Sequence, residues 1–80
     1  MKMRRHKYPI GTIYTRRNKR KDICTVIDRL TTTNDAGEVV SLRYVSTHVF
    51  LGQIVKDIDV VEASIAMGNP ILPTNLQTGE

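Results

Sequence analysis

The sequence predicts a mostly β domain, a small SH3-like barrel or curled antiparallel sheet of four to five strands with one short C-terminal helix, and three observations lead there. Residues 23–33 form an unbroken run rich in Ile, Val and Thr, whose branched side chains fit a pleated surface better than a helix. A turn of Asn34-Asp35-Ala36-Gly37 follows it, and behind the turn Val40, Leu42 and Tyr44 alternate with Ser41 and Arg43 in the period of a half-buried strand. Only the segment near residues 60–67 offers a helical pattern. An OB-like barrel is the second choice for the same elements, and the short chain favours the SH3-like form.

Taken in order, residues 1–7 read as a basic, flexible arm without hydrophobic periodicity, and residues 8–68 as a single folded domain. Tyr8-Pro9-Ile10-Gly11 is turn chemistry and leads into a first strand over Thr12-Ile13-Tyr14-Thr15. Residues 16–22 contain no apolar side chain to bury and are expected to be a solvated loop. The second strand spans Ile23–Thr33 and the third Glu38–Val49, an antiparallel hairpin about the Asn34–Gly37 turn. Gly52-Gln53 breaks the pattern, and Ile54-Val55 reads as a short fourth strand. Asp57 or Asp59 is the expected cap of the helix, with Glu62 in its first turn, Gly68 past its end, and Val61, Ile65 and Ala66 as its inner side. A final strand over Val60-Val61 competes with that helix. Residues 69–80, with Pro70 and Pro73, are expected to be an extended, partly disordered tail.

A chain of 80 residues buries roughly 60% of the surface that its unfolded form exposes, so its core is modest. One cysteine, Cys24, and two distant histidines, His6 and His48, offer neither a disulfide nor a metal staple, which leaves room for a homodimer to supply burial. Cys24 among Ile23, Val26 and Ile27 reads as a small buried hydrophobe in a reducing cytoplasm. No apolar run is long enough for a membrane span, and the basic start lacks the apolar stretch of a signal peptide.

The net charge of +4 conceals a strong polarity: residues 1–21 hold nine of the twelve lysines and arginines and no acid, whereas residues 22–80 hold three cations and all eight acids. The two parts carry +9 and −5. Five cations in six residues, Arg16, Arg17, Lys19, Arg20 and Lys21, repel one another unless an anion is nearby. Nucleic acid, DNA or RNA, is the commonest such anion. The candidate binding set is Arg4, Arg5, Lys7, Arg16, Arg17, Lys19, Arg20 and Lys21, with Tyr8 and Tyr14 placed to stack on unpaired bases. The alternative is a protein-interaction module, a host-takeover or inhibitor protein, docking this basic surface on an acidic partner.

Catalysis finds little support in the sequence. His48 is the one candidate general base, and Ser46 shares its face of a strand, but the pair lacks an orienting third group in the sequence pattern. Asp57, Asp59 and Glu62 lack the glycine-bearing loop of a cation site and are better read as helix caps and a counterweight to the basic loop. The same acids could meet the basic end of a second copy. No cofactor, metal site or enzymatic activity is expected.

Several short motifs resemble those of a group of small hypothetical proteins of tailed bacteriophages. They are Tyr8-Pro9 with Gly11-Thr12, Cys24-Thr25-Val26 with Asp28, Thr31-Thr32 with Asn34, and Gly37-Glu38. They continue through Arg43-Tyr44-Val45, His48 with Phe50, Gly52-Gln53, Asp57 with Asp59-Val60-Val61, and Ile65-Ala66 with Gly68. The resemblance covers residues 8–68 and implies a protein made in an infected bacterial cytoplasm. The group brings no established activity, so the resemblance bears on setting and not on chemistry.

Overall fold

The computed structural model describes residues 5–73. Four strands, β1 (Ile13–Thr15), β2 (Ile23–Thr33), β3 (Val39–Phe50) and β4 (Gln53–Val60), form one antiparallel meander in the order β1-β2-β3-β4, followed by helix α1 (Glu62–Ala66). The sheet is curled but does not close, and β1 and β4 remain its two edges.

Bulges supply the curl. Register slips at Ile27 in β2, at Val40 in β3 and across Ile58-Asp59 in β4 each put extra chain on one strand, which bends it and increases its twist. Asp59 takes a positive φ of 63° within the last of these. The bent sheet gathers Tyr8, Tyr14, Cys24, Val26, Tyr44 and Ile65 on its concave side, with Val60 packed against them.

Both hairpin turns follow from local chemistry. Asn34 Oδ1 accepts from the backbone N–H groups of Ala36 and Glu38, its amide donates to Glu38 Oε1, and Gly37 supplies the positive φ of 81° that closes the turn. The β3–β4 turn is the two-residue loop Leu51-Gly52, both at positive φ (52° and 76°), the geometry that matches strand twist in tight hairpins. Gln53 therefore begins β4.

The fourth strand is much longer than Ile54-Val55. Lys56 and Asp57 pair with Thr47 and Ser46 of β3, because the strand is a half-exposed edge that accepts polar side chains. Asp57 and Asp59 thus lie in β4 and neither caps the helix. The cap position is Val61, in extended conformation and without a side-chain cap bond, and Glu62 occupies the first turn as expected. Residues 60–67 accordingly divide between strand and helix: β4 ends at Val60 and α1 begins at Glu62. Of the expected inner side only Ile65 is fully buried; Val61 and Ala66 are exposed, since five residues make little more than one turn and present one side chain to the core.

Gly68 closes the helix with its N–H on the Ile65 carbonyl, and its own carbonyl accepts from Thr15 N–H at 2.8 Å, tying α1 to β1. Beyond it the chain is extended, and Ile71 pairs with Ile13 through two backbone bonds of 3.0 and 2.7 Å. The remainder of the expected tail, 74–80, and the arm residues 1–4 lie outside the described residues. From His6 onward the arm is docked. His6 Nε2 lies 2.9 Å from the carbonyls of both Leu30 and Arg43, and its ring meets the Tyr44 ring edge-on at 4.8 Å. The Tyr44 hydroxyl accepts from the N–H groups of Lys7 and Tyr8 and donates to Glu62.

Candidate functional site

The basic loop between β1 and β2 is braced by the first acid of the chain. Arg16 N–H donates to the Asp22 carbonyl at 2.7 Å, the Asn18 amide donates to Asp22 Oδ2 at 2.9 Å, and Arg20 grips both carboxylate oxygens at 3.2 and 2.9 Å. These donors, the Asn18 amide foremost and then the Arg20 guanidinium, hold the Asp22 carboxyl below the usual carboxylate range. Lys21 sits at a positive φ of 52°, so the backbone reverses there before entering β2.

This bracing sorts the five cations. Arg20 is committed, with its guanidinium 4.3 Å from the Phe50 ring centroid as well as on Asp22. Arg16 leans inward, 3.6 Å from Asp57 and 3.4 Å from His48 Nε2. Arg17, Lys19 and Lys21 are exposed, and with Arg16 they line a shallow depression floored by Met67 and Asn69. No acidic residue lines that depression among the described residues.

On the far side, Arg5 joins His6 and Arg29 around a second depression. Arg29 is a cation that the sequence does not single out, because an isolated cation in a strand carries no signal until the docked arm is known. Lys7 is exposed, with its ammonium 5.7 Å from the Tyr8 ring. Arg4 lies outside the described residues.

Tyr8 and Tyr14 do not stack on bases in this fold. They are 6% and 4% exposed, and both rings belong to the core. Alternation puts Tyr14 on the concave face of β1 opposite Cys24, and its hydroxyl bonds Ser46 Oγ at 2.7 Å. Burial pushes the Tyr14 phenol up to about 12, partly offset by the Ser46 bond.

A second polar cluster lies beneath the loop. His48 Nδ1 donates to Asp57 Oδ2 at 2.7 Å, supplying the orienting carboxylate missing from the sequence pattern, while Asp22 Oδ2 stands 3.9 Å from Nε2. Ser46 is engaged with Tyr14 and is not directed to His48. Cys24, fully buried, completes the cluster, and burial raises its thiol despite the opposing bond with Tyr14. Asp59 and Glu62 are elsewhere, on Arg43 at 3.3 Å and on Tyr44, so Asp57, Asp59 and Glu62 do not converge. Asp57 does act as a counterweight to the basic loop through Arg16.

No protein-family model matches the chain, and no curated protein or solved structure is significantly similar to it.

Proposed function

We propose that this is a non-catalytic nucleic-acid-binding protein of the bacterial cytoplasm, as its phage-like motifs imply, and that it grips phosphates with the loop between β1 and β2. The observation that supports this reading is the depression onto which Arg17, Lys19 and Lys21 open, with no acid among its described lining residues. Three free cations on a loop whose backbone is braced need little backbone ordering when a phosphate arrives, and low-dielectric protein on one side strengthens their field. Stacking is no part of the mechanism, because the tyrosines are internal; binding is charge neutralisation and therefore largely independent of sequence.

The test is fluorescence anisotropy with single- and double-stranded oligonucleotides across a salt series, comparing the wild type with Arg17→Glu, Lys19→Glu and Lys21→Glu combined. If these three cations reach phosphates, log K falls with log salt with a slope of about −2.7 on duplex DNA. The triple variant should bind at least tenfold more weakly while keeping its fold, since these side chains are exposed. Absence of binding at low salt would overturn the proposal.

A second reading, a protein-interaction module, is favoured by a different surface. On the outer face of the sheet Val49 pairs with Ile54, and these two with Ile23 are 64%, 77% and 60% exposed. Substituting Val49 and Ile54 by Thr would leave oligonucleotide binding intact and abolish capture of an acidic protein partner or self-association.

A further inference from the structure

Beneath the basic loop, three side chains of different metal-binding character come together from three strands. Cys24 of β2, His48 of β3 and Asp57 of β4 place one donor atom each within 4.8 Å of one another. The meander puts neighbouring strands side by side and the curl tilts their concave faces inward, so residues 33 positions apart share one point. We propose that Cys24, His48 and Asp57 form a three-ligand site for a borderline-soft divalent cation of the zinc or cobalt class, with Arg16 as its removable plug.

The donor set is the first argument. A thiolate, an imidazole and a carboxylate are the ligands that zinc takes, and three of them leave a fourth position for water. Tetrahedral bonds of about 2.0–2.3 Å put donors about 3.3–3.8 Å apart, so the cluster has to contract by about 1 Å at its widest and the His48–Asp57 contact has to open slightly. Nδ1 is the natural ligand nitrogen of His48. With the metal on Nδ1 the ring proton sits on Nε2, facing the Asp22 carboxylate 3.9 Å away, which is the outer carboxylate that metal-bound histidines commonly engage.

The second argument is that a cation already borders the place. Arg16 Nη1 lies 3.4 and 3.5 Å from the two ring nitrogens and 3.6 Å from Asp57. Charge balance is preserved by exchange. At present the carboxylates of Asp22 and Asp57 are matched by Arg16 and Arg20. With Arg16 turned outward, a dication balances the same two carboxylates, Arg20 and the new Cys24 thiolate to zero. Arg16 can make that move because its side chain is 42% exposed, whereas a fully buried guanidinium would be held in place. Binding releases the thiol proton, so affinity should rise by about tenfold per pH unit while the thiol of the metal-free protein is protonated.

Anaerobic titration of the reduced protein with Co2+, followed by back-titration with Zn2+, tests the site. The expected result is one equivalent of cobalt, thiolate-to-metal charge-transfer absorption, and its displacement by zinc. Cys24→Ser should abolish that absorption. Asp57→Asn should weaken binding by about a hundredfold or more, since even groups outside a ligand set cost about 10–100-fold. Arg16→Gln should tighten it by at least tenfold, and because Arg16 lies at the surface this variant tests the proposal even where a buried substitution unfolds the chain. Failure of the wild type to take up cobalt at large molar excess, persistence of the absorption in Cys24→Ser, or weaker binding by Arg16→Gln would each overturn it. Oligonucleotide binding is a separate readout and does not enter this test.

Discussion

Tyr44→Phe removes a single oxygen from the centre of the molecule, and the consequence can be worked out group by group. That hydroxyl accepts from Tyr8 N–H at 3.2 Å and from Lys7 N–H at 2.9 Å, and donates to the Glu62 carboxylate. Lys7 N–H keeps a second acceptor, Glu62 Oε2 at 2.9 Å, so Tyr8 N–H is the donor left without one. The ring itself stays and no large cavity opens. A hydrogen bond to a charged group contributes about 1.5–3 kcal/mol and an abandoned buried donor costs about 1–3 kcal/mol; because both follow from loss of one oxygen and overlap, a combined loss in the lower part of their sum, about 2.5–4 kcal/mol, is expected. For a domain of this size that lowers Tm by roughly 10–25 °C.

The loss should also depend on pH. Burial pushes the Glu62 carboxyl up, but the bonds from Tyr44 and Lys7 outweigh it and the group ends below its ordinary value. A lowered folded-state value contributes stability that is present above the unfolded value and disappears as pH falls through the folded one. Wild type and Tyr44→Phe should therefore converge in acid. Tyr14→Phe is the control: it breaks only neutral bonds, to Ser46 and Cys24, costs about 1–2 kcal/mol and should show no such convergence, because no carboxylate takes part. Thermal unfolding followed by circular dichroism between pH 7 and 3 measures both. A Tm change in Tyr44→Phe no larger than in Tyr14→Phe, or one that does not shrink in acid, would refute the reasoning.

Three other substitutions or titrations follow from the same structure. Gly68→Ala should destabilise by about 2–3 kcal/mol or more in urea unfolding, since a Cβ there would be driven into the Thr15 backbone, which itself bonds the Gly68 carbonyl. Spectrophotometric titration in alkali should show the Tyr14 and Tyr44 phenols ionising only near pH 12, both raised first of all by burial. Because the folded values are raised, these groups add stability below pH 10 that is lost as pH climbs toward 12, so ionisation should coincide with unfolding. Asp22→Asn should loosen the β1–β2 loop by removing the anchor of Arg20, read as faster amide exchange at Asn18 and Lys21, whose N–H groups bond within the loop.

Much of the backbone was legible in the chain because its signals are local. β-branched side chains over Ile23–Thr33 fix a strand wherever it lies, Asn34 to Gly37 can close its turn with its own side chain, and the run of cations has nothing to bury. Charge polarity, the absence of an interior-forming side chain in the loop and the burial of Cys24 were likewise settled by residue type. Boundaries that depend on a partner strand were not. Lys56 and Asp57 look like loop residues until Thr47 and Ser46 are seen beside them, and Leu51 at positive φ has no sequence marker, so the sequence by itself shortens the fourth strand and sets the helix cap on an aspartate.

The candidate site divides the same way. Which residues are cationic is written in the sequence; which of them remain free is decided by Asp22 within the loop and by Asp57 and Phe50, an acid and a ring that reach the loop only through the curl of the sheet. Tyr8 and Tyr14 read as surface aromatics beside a basic loop and are core residues, because strand parity turns Tyr14 inward and the docking of the arm on Tyr44 carries Tyr8 into the core. Cys24, His48 and Asp57 carry separate readings in the sequence, and nothing there shows that they are adjacent in space. Residue type and local pattern determine what a segment is. Only the register of one strand against the next, with the bulges that bend them, decides which side chains meet, since that pairing joins positions no local pattern connects.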